Sequence, residues 1–269
     1  MPPAVVLFDL DDTLFAHRGA VADGIRAHLD SLGGTFTDAD PGAALALWDD
    51  LEARQYHAYL AGSLDFAGQR RERARDFAAA HGVTLTGPAA AAWFEAYFRH
   101  YRASWRLHPD ALPCLDALAV AFPGVRIGLI TNGESTPQGH KLADTGLSGR
   151  LEHVIASGSL GFAKPDPRIF RHACAVFGSA PEHTVYVGDR LRTDAIGAAA
   201  AGLTGVWLDR TAAGAGAGVA AEAGAGAGVG AGADAAEAAR LGVIRITGLA
   251  ALPRVLTARA LAPLSARPH

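Results

Sequence analysis

Three acids follow an apolar run close to the start of the sequence. Residues 4–8 are all apolar and rich in β-branched side chains, and Asp9, Asp11 and Asp12 come directly after them. Such a run is typical of a buried strand. Carboxylates crowded at the end of a strand repel one another and lose hydration, and a cation or a shared proton resolves that conflict. The pattern therefore indicates a chemical site rather than packing.

Polar side chains also follow later apolar segments. Thr131 and Asn132 come after a second predicted strand, and Asp189 comes after a fourth, with Asp194 five residues further on. Lys164 stands directly before a predicted helix. Ligands collect beyond the carboxyl ends of the strands in a parallel α/β sheet. We therefore expect carboxylates, a hydroxyl, backbone amides and an ammonium at one edge of such a sheet.

This set of groups suits phosphoryl transfer through a covalent intermediate. A carboxylate can attack phosphorus, and a second one two residues on can protonate the leaving oxygen and later take a proton from water. Mg²⁺ binds several oxygen ligands, which carboxylates from two strands and a main-chain carbonyl supply. Thr131 and the amides beside it can donate to phosphate oxygens, and Lys164 can neutralise developing charge.

The elements that must position these groups alternate between strand and helix. Apolar runs predict strands at 5–8, 125–130, 153–156, 184–187, 204–208 and 242–247. Helices are predicted at 109–121, 165–177, 193–201 and 249–256. Short apolar strands separated by helices are typical of a parallel sheet covered on both faces. We therefore predict an α/β fold with a doubly wound parallel sheet.

A helical segment separates the first strand from the others. Apolar residues recur there at helical spacing, which predicts helices at 21–32, 41–61, 66–81 and 88–104. The arginine-rich run 69–75 is interpreted as a solvated helix face, with contact to an anionic substrate as the alternative. This segment is an all-helical domain inserted into the sheet domain.

Composition bounds the class of protein. The chain has 269 residues, 50% of them hydrophobic, and a net charge of −3, so it can bury a large core. It lacks the basic excess that marks nucleic-acid or membrane partners. No apolar run approaches the roughly 18 residues of a membrane span, and the N-terminal pattern is not that of a signal peptide. We expect a soluble, cytoplasmic protein with neither partner, and its state as monomer or homodimer stays open.

Some residues and segments have less specific interpretations. Cys114 and Cys174 lack metal-type spacing and are expected to be small buried hydrophobes. Lys141 lies in a polar stretch, so a solvated side chain is expected. The alanine and glycine stretch 211–239 predicts a flexible loop within the core domain, with a helical turn at 234–240. Residues 259–269 are expected to form a tail.

Four short motifs resemble those of a known family. They are Phe-Asp-Leu-Asp-Asp-Thr-Leu at 8–14, Ile-Thr-Asn-Gly at 130–133, Lys-Pro-Asp-Pro at 164–167, and Val-Gly-Asp at 187–189 followed by Asp194. In this order they resemble the four motifs of the haloacid dehalogenase (HAD) superfamily of hydrolases, in particular its phosphatase branch with a helical (C1) cap.

The resemblance implies a division into domains and a role for each motif residue. It implies a Rossmann-like core formed by 1–15 and 107–258, and a helical cap formed by 16–106 that closes over the site, excludes water and selects the substrate. Asp9 becomes the nucleophile and Asp11 the general acid and base. The implied Mg²⁺ ligands are the Asp9 carboxylate, the Asp11 main-chain oxygen, Asp189 and Asp194. The implied phosphate ligands are Thr131, Asn132 and Lys164.

The function implied is that of a Mg²⁺-dependent phosphatase acting on a small phosphorylated metabolite through an aspartyl-phosphate intermediate. A dehalogenase would use the same nucleophile on carbon, but halide leaves without a proton, so Asp11 counts against it. A phosphomutase on the same fold stays open. The third alternative is a catalytically silent binding protein, which would not need the complete set of acids and lysine.

Overall fold

The protein is described here by a computed structural model, which covers residues 1–38, 40–211 and 231–261. The chain divides into two compact units. Met1–Ala16 and Arg106–His269 form the first, which we call the core unit. His17–Trp105 form the second, which we call the helical unit.

A six-stranded sheet organises the core unit, in the order β3-β2-β1-β4-β5-β6. Its strands are β1 (Val5–Phe8), β2 (Arg126–Thr131), β3 (His153–Ala156), β4 (Thr184–Gly188), β5 (Thr204–Leu208) and β6 (Ile244–Ile246). Every pairing between neighbouring strands is parallel. The doubly wound α/β sheet predicted from the sequence is confirmed.

Strand β1 lies at the centre of the sheet and is buried along its whole length. Val5 pairs in register with Arg126 of β2 on one side and with Thr184 of β4 on the other. A strand covered on both faces needs an unbroken apolar sequence, which explains why residues 5–8 do not alternate with polar ones. The segment that leaves β1 therefore starts between the carboxyl ends of two other strands.

Four helices form the helical unit. They are α1 (His17–Leu32), α2 (Pro41–Leu60), α3 (Phe66–Ala80) and α4 (Gly87–Ala103). Side chains of Asp40, Asp65 and Thr86 cap the N-termini of α2, α3 and α4 by accepting a hydrogen bond from a backbone amide in the first turn. The helices predicted from apolar spacing are confirmed.

Aromatic rings fill the interior of the helical unit, with the fully buried Trp48 among them. The Arg73 guanidinium lies 5.2 Å from the centre of the Trp48 ring and 3.2 Å from Glu52, and its side chain is buried. Arg70 lies over the rings of Phe66 and Phe94 at 4.4 and 5.2 Å. Interpreting the arginine run as a solvated face is thus wrong for Arg73, because aromatic rings and a carboxylate compensate its burial.

Six α-helices and one π-helix lie within the described part of the core unit. They are α5 (Ala111–Ala121), α6 (Ser135–Asp144), α7 (Pro167–Val176), the π-helix Leu191–Ile196, α8 (Gly197–Ala200), α9 (Ala231–Arg240) and α10 (Leu252–Leu261). The sequence did not predict α6. It predicted one helix at 193–201, where the chain forms the π-helix and then α8.

The alanine and glycine stretch falls largely outside the described residues, which exclude 212–230. Its last part, from Ala231, is helical and belongs to α9. The predicted tail begins within α10, which continues to Leu261, and 262–269 lie outside the described residues. Cys114 and Cys174 are buried and unpaired, as expected. Over the described ranges, none of the helices has both the length and the apolar character needed to cross a bilayer.

Candidate active site

Asp9 and Lys164 form the centre of the candidate site. Asp9 follows β1 directly, and its backbone N–H donates to the Val187 carbonyl of β4. Lys164 Nζ lies 2.5 Å from Asp9 Oδ1 and 2.7 Å from Asp194 Oδ1, and it donates to the Tyr186 hydroxyl at 2.7 Å. Asp9, Asp194 and Lys164 are all buried. A single ammonium is therefore shared by two carboxylates in a region with little water.

Negative charge is in excess at this centre. Burial raises the pKa of the Asp9 carboxyl well above its usual range, Lys164 opposes the shift, and the charges of Asp194 and Asp189 add to it. Burial lowers the pKa of Lys164, but Asp194 and Asp9 outweigh burial and raise it overall. Lys164 is thus held as a cation, yet one positive charge does not balance the nearby carboxylates.

The donor set fits a hard divalent cation. Carboxylate oxygens of Asp9, Asp189 and Asp194 lie within 4.8 Å of one another. Hard cations such as Mg²⁺ prefer oxygen ligands of this kind, and the uncompensated negative charge favours a dication. Three of the four residues predicted as metal ligands are thus brought together by their carboxylates. For the fourth, Asp11, the prediction concerned its main-chain oxygen.

The π-helix and β5 hold the two later acids. Asp194 Oδ2 accepts a hydrogen bond from the Arg190 backbone amide at 3.0 Å, and Oδ1 lies 3.2 Å from the Tyr186 hydroxyl. The Trp207 indole donates to the Asp189 carbonyl at 3.0 Å. Backbone and aromatic partners therefore fix the segment between the two acids.

Two residues of α6 contact the Asp11 carboxylate. Lys141 Nζ lies 2.6 Å from Asp11 Oδ1, and Gln138 Nε2 donates to Asp11 Oδ2 at 3.0 Å. The Lys141 side chain is only 9% exposed, so the expectation of a solvated lysine is wrong. The physical reason is the carboxylate, because an ammonium tolerates burial when it is paired.

Thr131 and Asn132 have different surroundings at the end of β2. The Thr131 oxygen accepts hydrogen bonds from the Gly133 amide at 3.1 Å and from Gln138 at 3.0 Å. A hydroxyl has two acceptor sites and one proton, so the proton of Thr131 is left to donate elsewhere. The Asn132 side chain bonds the main chain of Lys164 twice, donating to its carbonyl at 2.9 Å and accepting from its amide at 2.8 Å.

The loop after β1 is held by Arg210, which follows β5. Asp12 has a φ of 61°, a left-handed conformation that short polar residues tolerate better than bulky ones. Arg210 donates to the carbonyls of Asp12 and Thr13 at 3.3 and 2.9 Å, and it binds both carboxylate oxygens of Asp110. Arg210 and Asp110 therefore tie this loop to the start of α5.

A family model, described as haloacid dehalogenase-like hydrolase, matches residues 3–202 of this chain. The chain belongs to this family. Among curated relatives, the HAD-like hydrolase is 38% identical over 148 residues to the phosphoserine phosphatase of Thermus thermophilus, covering 55% of this chain and 52% of that enzyme. It is 29% identical over 218 residues to the glyceraldehyde 3-phosphate phosphatase of Methanopyrus kandleri, and this match covers 76% of this chain and 83% of that enzyme.

The first of these matches spans about half the length of the relative. Among solved structures, the HAD-hydrolase YfnB from Bacillus subtilis, crystallised with magnesium, is similar with a TM-score of 0.69 and 20% identity, over 95% of this chain and 99% of that one. At this level of identity the similarity shows that the two proteins share a fold.

The motif residues expected in a HAD-like hydrolase converge, but the sequence did not reveal four residues that support them. These are Gln138, Lys141, Tyr186 and Trp207. For Lys141 a signal existed, since it is one of only two lysines in an arginine-rich chain. Tyr186 and Trp207 lie within strands, where the sequence pattern of a site residue is the same as that of a packing residue.

Proposed function

We propose that the chain is a Mg²⁺-dependent phosphatase that hydrolyses small phosphate monoesters through an aspartyl-phosphate intermediate. The observation that carries this proposal is the second carboxylate, Asp11, whose two oxygens are held by Lys141 and Gln138. Displacing an alkoxide from phosphorus requires a proton donor, whereas displacing a halide from carbon does not. A dedicated and oriented acid therefore favours ester hydrolysis over dehalogenation.

In the first step Asp9 is the nucleophile and Asp11 the acid. An Asp9 carboxylate oxygen attacks phosphorus, the bond from phosphorus to the ester oxygen breaks, and the Asp11 carboxylic acid gives its proton to that oxygen. The alcohol leaves, and Asp9 carries the phosphoryl group as an acyl phosphate. Lys164 and the Thr131 hydroxyl donate to the oxygens of the phosphoryl group while charge shifts onto them.

In the second step water replaces the alcohol. Asp11, now a carboxylate, takes a proton from a water molecule whose oxygen attacks phosphorus. The bond between phosphorus and the Asp9 oxygen breaks, which releases inorganic phosphate and restores the Asp9 carboxylate. Asp11 regains its proton in this step, so the cycle closes without net change in the protein.

The remaining residues hold these groups in place. Asp9, Asp189, Asp194 and the Asp11 carbonyl would hold Mg²⁺, which supplies positive charge to the phosphoryl oxygens when it is bound. Asn132 fixes the main chain of Lys164, so we assign its side chain to positioning the lysine rather than to direct contact with phosphate. Tyr186 and Asp194 bind the same Lys164 ammonium that contacts Asp9.

The test is a panel of phosphate monoesters assayed with Mg²⁺ and with EDTA, on the wild type and on Asp9→Asn. Phosphoserine and glyceraldehyde 3-phosphate belong in the panel because the relatives are named for them. We expect release of phosphate that requires the metal and that Asp9→Asn abolishes. Transient labelling of the wild type by a ³²P-labelled ester, absent in Asp9→Asn, would establish the covalent intermediate.

Other outcomes separate the alternatives. Turnover of 2-haloacids in the presence of EDTA would show that the protein is a dehalogenase and not a phosphatase. Return of the labelled phosphoryl group to a sugar rather than to water would indicate a mutase. Absence of turnover together with tight binding of a phosphorylated ligand would favour a binding protein.

A further inference from the structure

Lys141 is an unusual lysine because its charged group is buried beside a site carboxylate. The side chain is 9% exposed, and Nζ lies 2.6 Å from Asp11 Oδ1. On another side the ammonium lies 4.9 Å from the centre of the Phe15 ring, which is fully buried. Burying an ammonium is unfavourable unless it is paired, so this conformation depends on the contact with Asp11.

Gln138 acts on the other oxygen of the same carboxylate. Its Nε2 donates to Asp11 Oδ2 and to Thr131 Oγ1, both at 3.0 Å. Within the described residues its Oε1 is buried without a hydrogen-bond partner. A Cβ at Gly133 would lie 2.4 Å from Nε2, so the glycine leaves room for the amide. The Gln138 amide thus bridges Asp11 and Thr131 through Nε2, while its carbonyl oxygen lacks a hydrogen bond among the residues that the structure describes.

The two contacts together fix the orientation of Asp11. A carboxylate held at only one oxygen can still rotate about its terminal torsion, and the Asp11 side chain is 31% exposed. Donors on both oxygens remove that rotation. Each carboxylate oxygen has two lone-pair sites, so one donor on each oxygen does not by itself prevent proton transfer.

We propose that Lys141, assisted by Gln138, is a positioning residue that orients Asp11 toward the leaving group. This inference rests on the proposed function, because it assigns Lys141 a role only through the acid. It deepens that proposal by making helix α6 a part of the proton-transfer machinery.

The consequence is a dependence on the leaving group. A strongly basic alkoxide needs its proton as the bond breaks, whereas p-nitrophenolate leaves without one. Loss of the Asp11 orientation should therefore slow the hydrolysis of alkyl phosphates and leave the hydrolysis of p-nitrophenyl phosphate nearly unchanged. A general loss of structure would slow both to the same extent.

The experiment compares Lys141→Met with wild type on p-nitrophenyl phosphate, phenyl phosphate and glycerol 2-phosphate at saturating Mg²⁺. We measure kcat/KM because it reports steps up to the first irreversible one, before the intermediate is hydrolysed. We expect a loss of about a hundredfold for glycerol 2-phosphate, the usual scale of general acid catalysis, and less than about threefold for p-nitrophenyl phosphate. Phenyl phosphate should fall between them.

A matched control lies on the same helix. His140 is exposed and adjacent to Lys141, so His140→Met makes the same new side chain in α6 without touching Asp11. It should behave as wild type with all three esters. If Lys141→Met does not reach the wild-type circular dichroism spectrum, Lys141→Gln, which removes the charge and keeps a polar side chain, takes its place with the same expected pattern.

A double variant makes the test decisive. If Lys141 acts through Asp11, then adding Lys141→Met to Asp11→Asn should lower kcat/KM for glycerol 2-phosphate by less than about threefold, because the acid is already missing. Equal losses on all esters, or a full further loss in the Asp11→Asn background, would overturn the positioning role. A wild type inactive on every ester would instead contradict the proposed phosphatase function.

Discussion

Asn132 shows how a polar side chain can support a site through the main chain of another loop. Its carbonyl and amide groups are both engaged with the main chain of Lys164, which belongs to a different loop. The pair of hydrogen bonds fixes the backbone from which the buried ammonium extends. The motif at the end of β2 thus acts on the candidate site by way of the lysine.

We predict that Asn132→Ala weakens binding of inorganic phosphate. Loss of two hydrogen bonds, each worth about 1 kcal/mol, lets the Lys164 backbone move, and the inhibition constant of phosphate should rise about tenfold. Competition against p-nitrophenyl phosphate measures it. Ser135→Ala is the control, because Ser135 is exposed at the start of α6. An unchanged constant in Asn132→Ala would remove the positioning role of this side chain.

At the scale of elements, the end of β4 is shaped by the π-helix that follows it. Gly188 is the last residue of β4, and a Cβ there would lie 2.4 Å from the Asp194 carboxyl carbon. Contacts that short do not occur, so any side chain at this position would displace Asp194. Only glycine lets the acid approach the strand end closely enough to hold Lys164.

We predict that Gly188→Ala keeps the fold and loses activity. Displacing Asp194 by about 1 Å misplaces Lys164 and the carboxylates that we propose as metal ligands, and errors of that size cost about a hundredfold in rate. Steady-state kinetics at saturating Mg²⁺, with circular dichroism for folding, gives the answer. Gly139→Ala is a matched control, because nothing lies within 4 Å of a Cβ placed there in α6. Wild-type turnover by Gly188→Ala would show that Asp194 can be moved without consequence.

The contrast between α6 and the strands explains what the sequence could predict. Strand ends and the four motifs were recognisable because apolar runs stop where polar site residues begin. Helix α6 was not recognisable, because two of the three residues it buries, Gln138 and Lys141, are polar and only Leu142 is apolar. Periodicity detects a helix by its apolar stripe, so a helix that buries polar side chains in a site escapes it.

Strand residues posed the opposite difficulty. Tyr186 and Trp207 fit the apolar pattern of β4 and β5, and their hydrogen bonds to Lys164 and to Asp189 arise from tertiary structure alone. Arg210 likewise reaches Asp110 across a large separation in sequence. No local pattern contains such contacts, so Asp9 and Asp11 could be singled out from the sequence, while the residues that hold the site together could not.

At the scale of the whole molecule, the helical unit contains a buried histidine with consequences at acid pH. His28 is 1% exposed, its ring lies 4.3 Å from that of Trp93, and neither ring nitrogen has a hydrogen-bond partner among the described residues. Burial, with the charges of His100 and Arg99, lowers the pKa of His28 to about 4. The folded unit therefore holds the neutral imidazole.

We predict that the helical unit loses stability as the pH falls from about 6.5 to about 4. The unfolded chain binds a proton at His28 near pH 6.5 and the folded one only near pH 4, so the free energy of unfolding drops by about 3 kcal/mol across this window. Urea unfolding followed by tryptophan fluorescence reports it, because Trp48, Trp93 and Trp105 belong to this unit.

The matched variants are His28→Leu and His57→Leu. His28→Leu should flatten the pH dependence over this window, because it removes the group that takes up the proton. His57 is exposed on α2, so His57→Leu should retain the wild-type slope. A slope that persists unchanged in His28→Leu would assign the acid sensitivity to other groups.

The central position of β1 bears on how the chain folds as it is synthesised. Strand β1 is enclosed only after Arg126 on one side and Thr184 on the other have been synthesised, because Val5 pairs with both. Lys164 and Asp194 are also synthesised long after Asp9. Contacts so distant in sequence form slowly and leave early segments exposed. Asp9 is thus synthesised long before the groups that enclose it are complete, and a nascent chain that ends before β4 carries this carboxyl without Asp189 and Asp194.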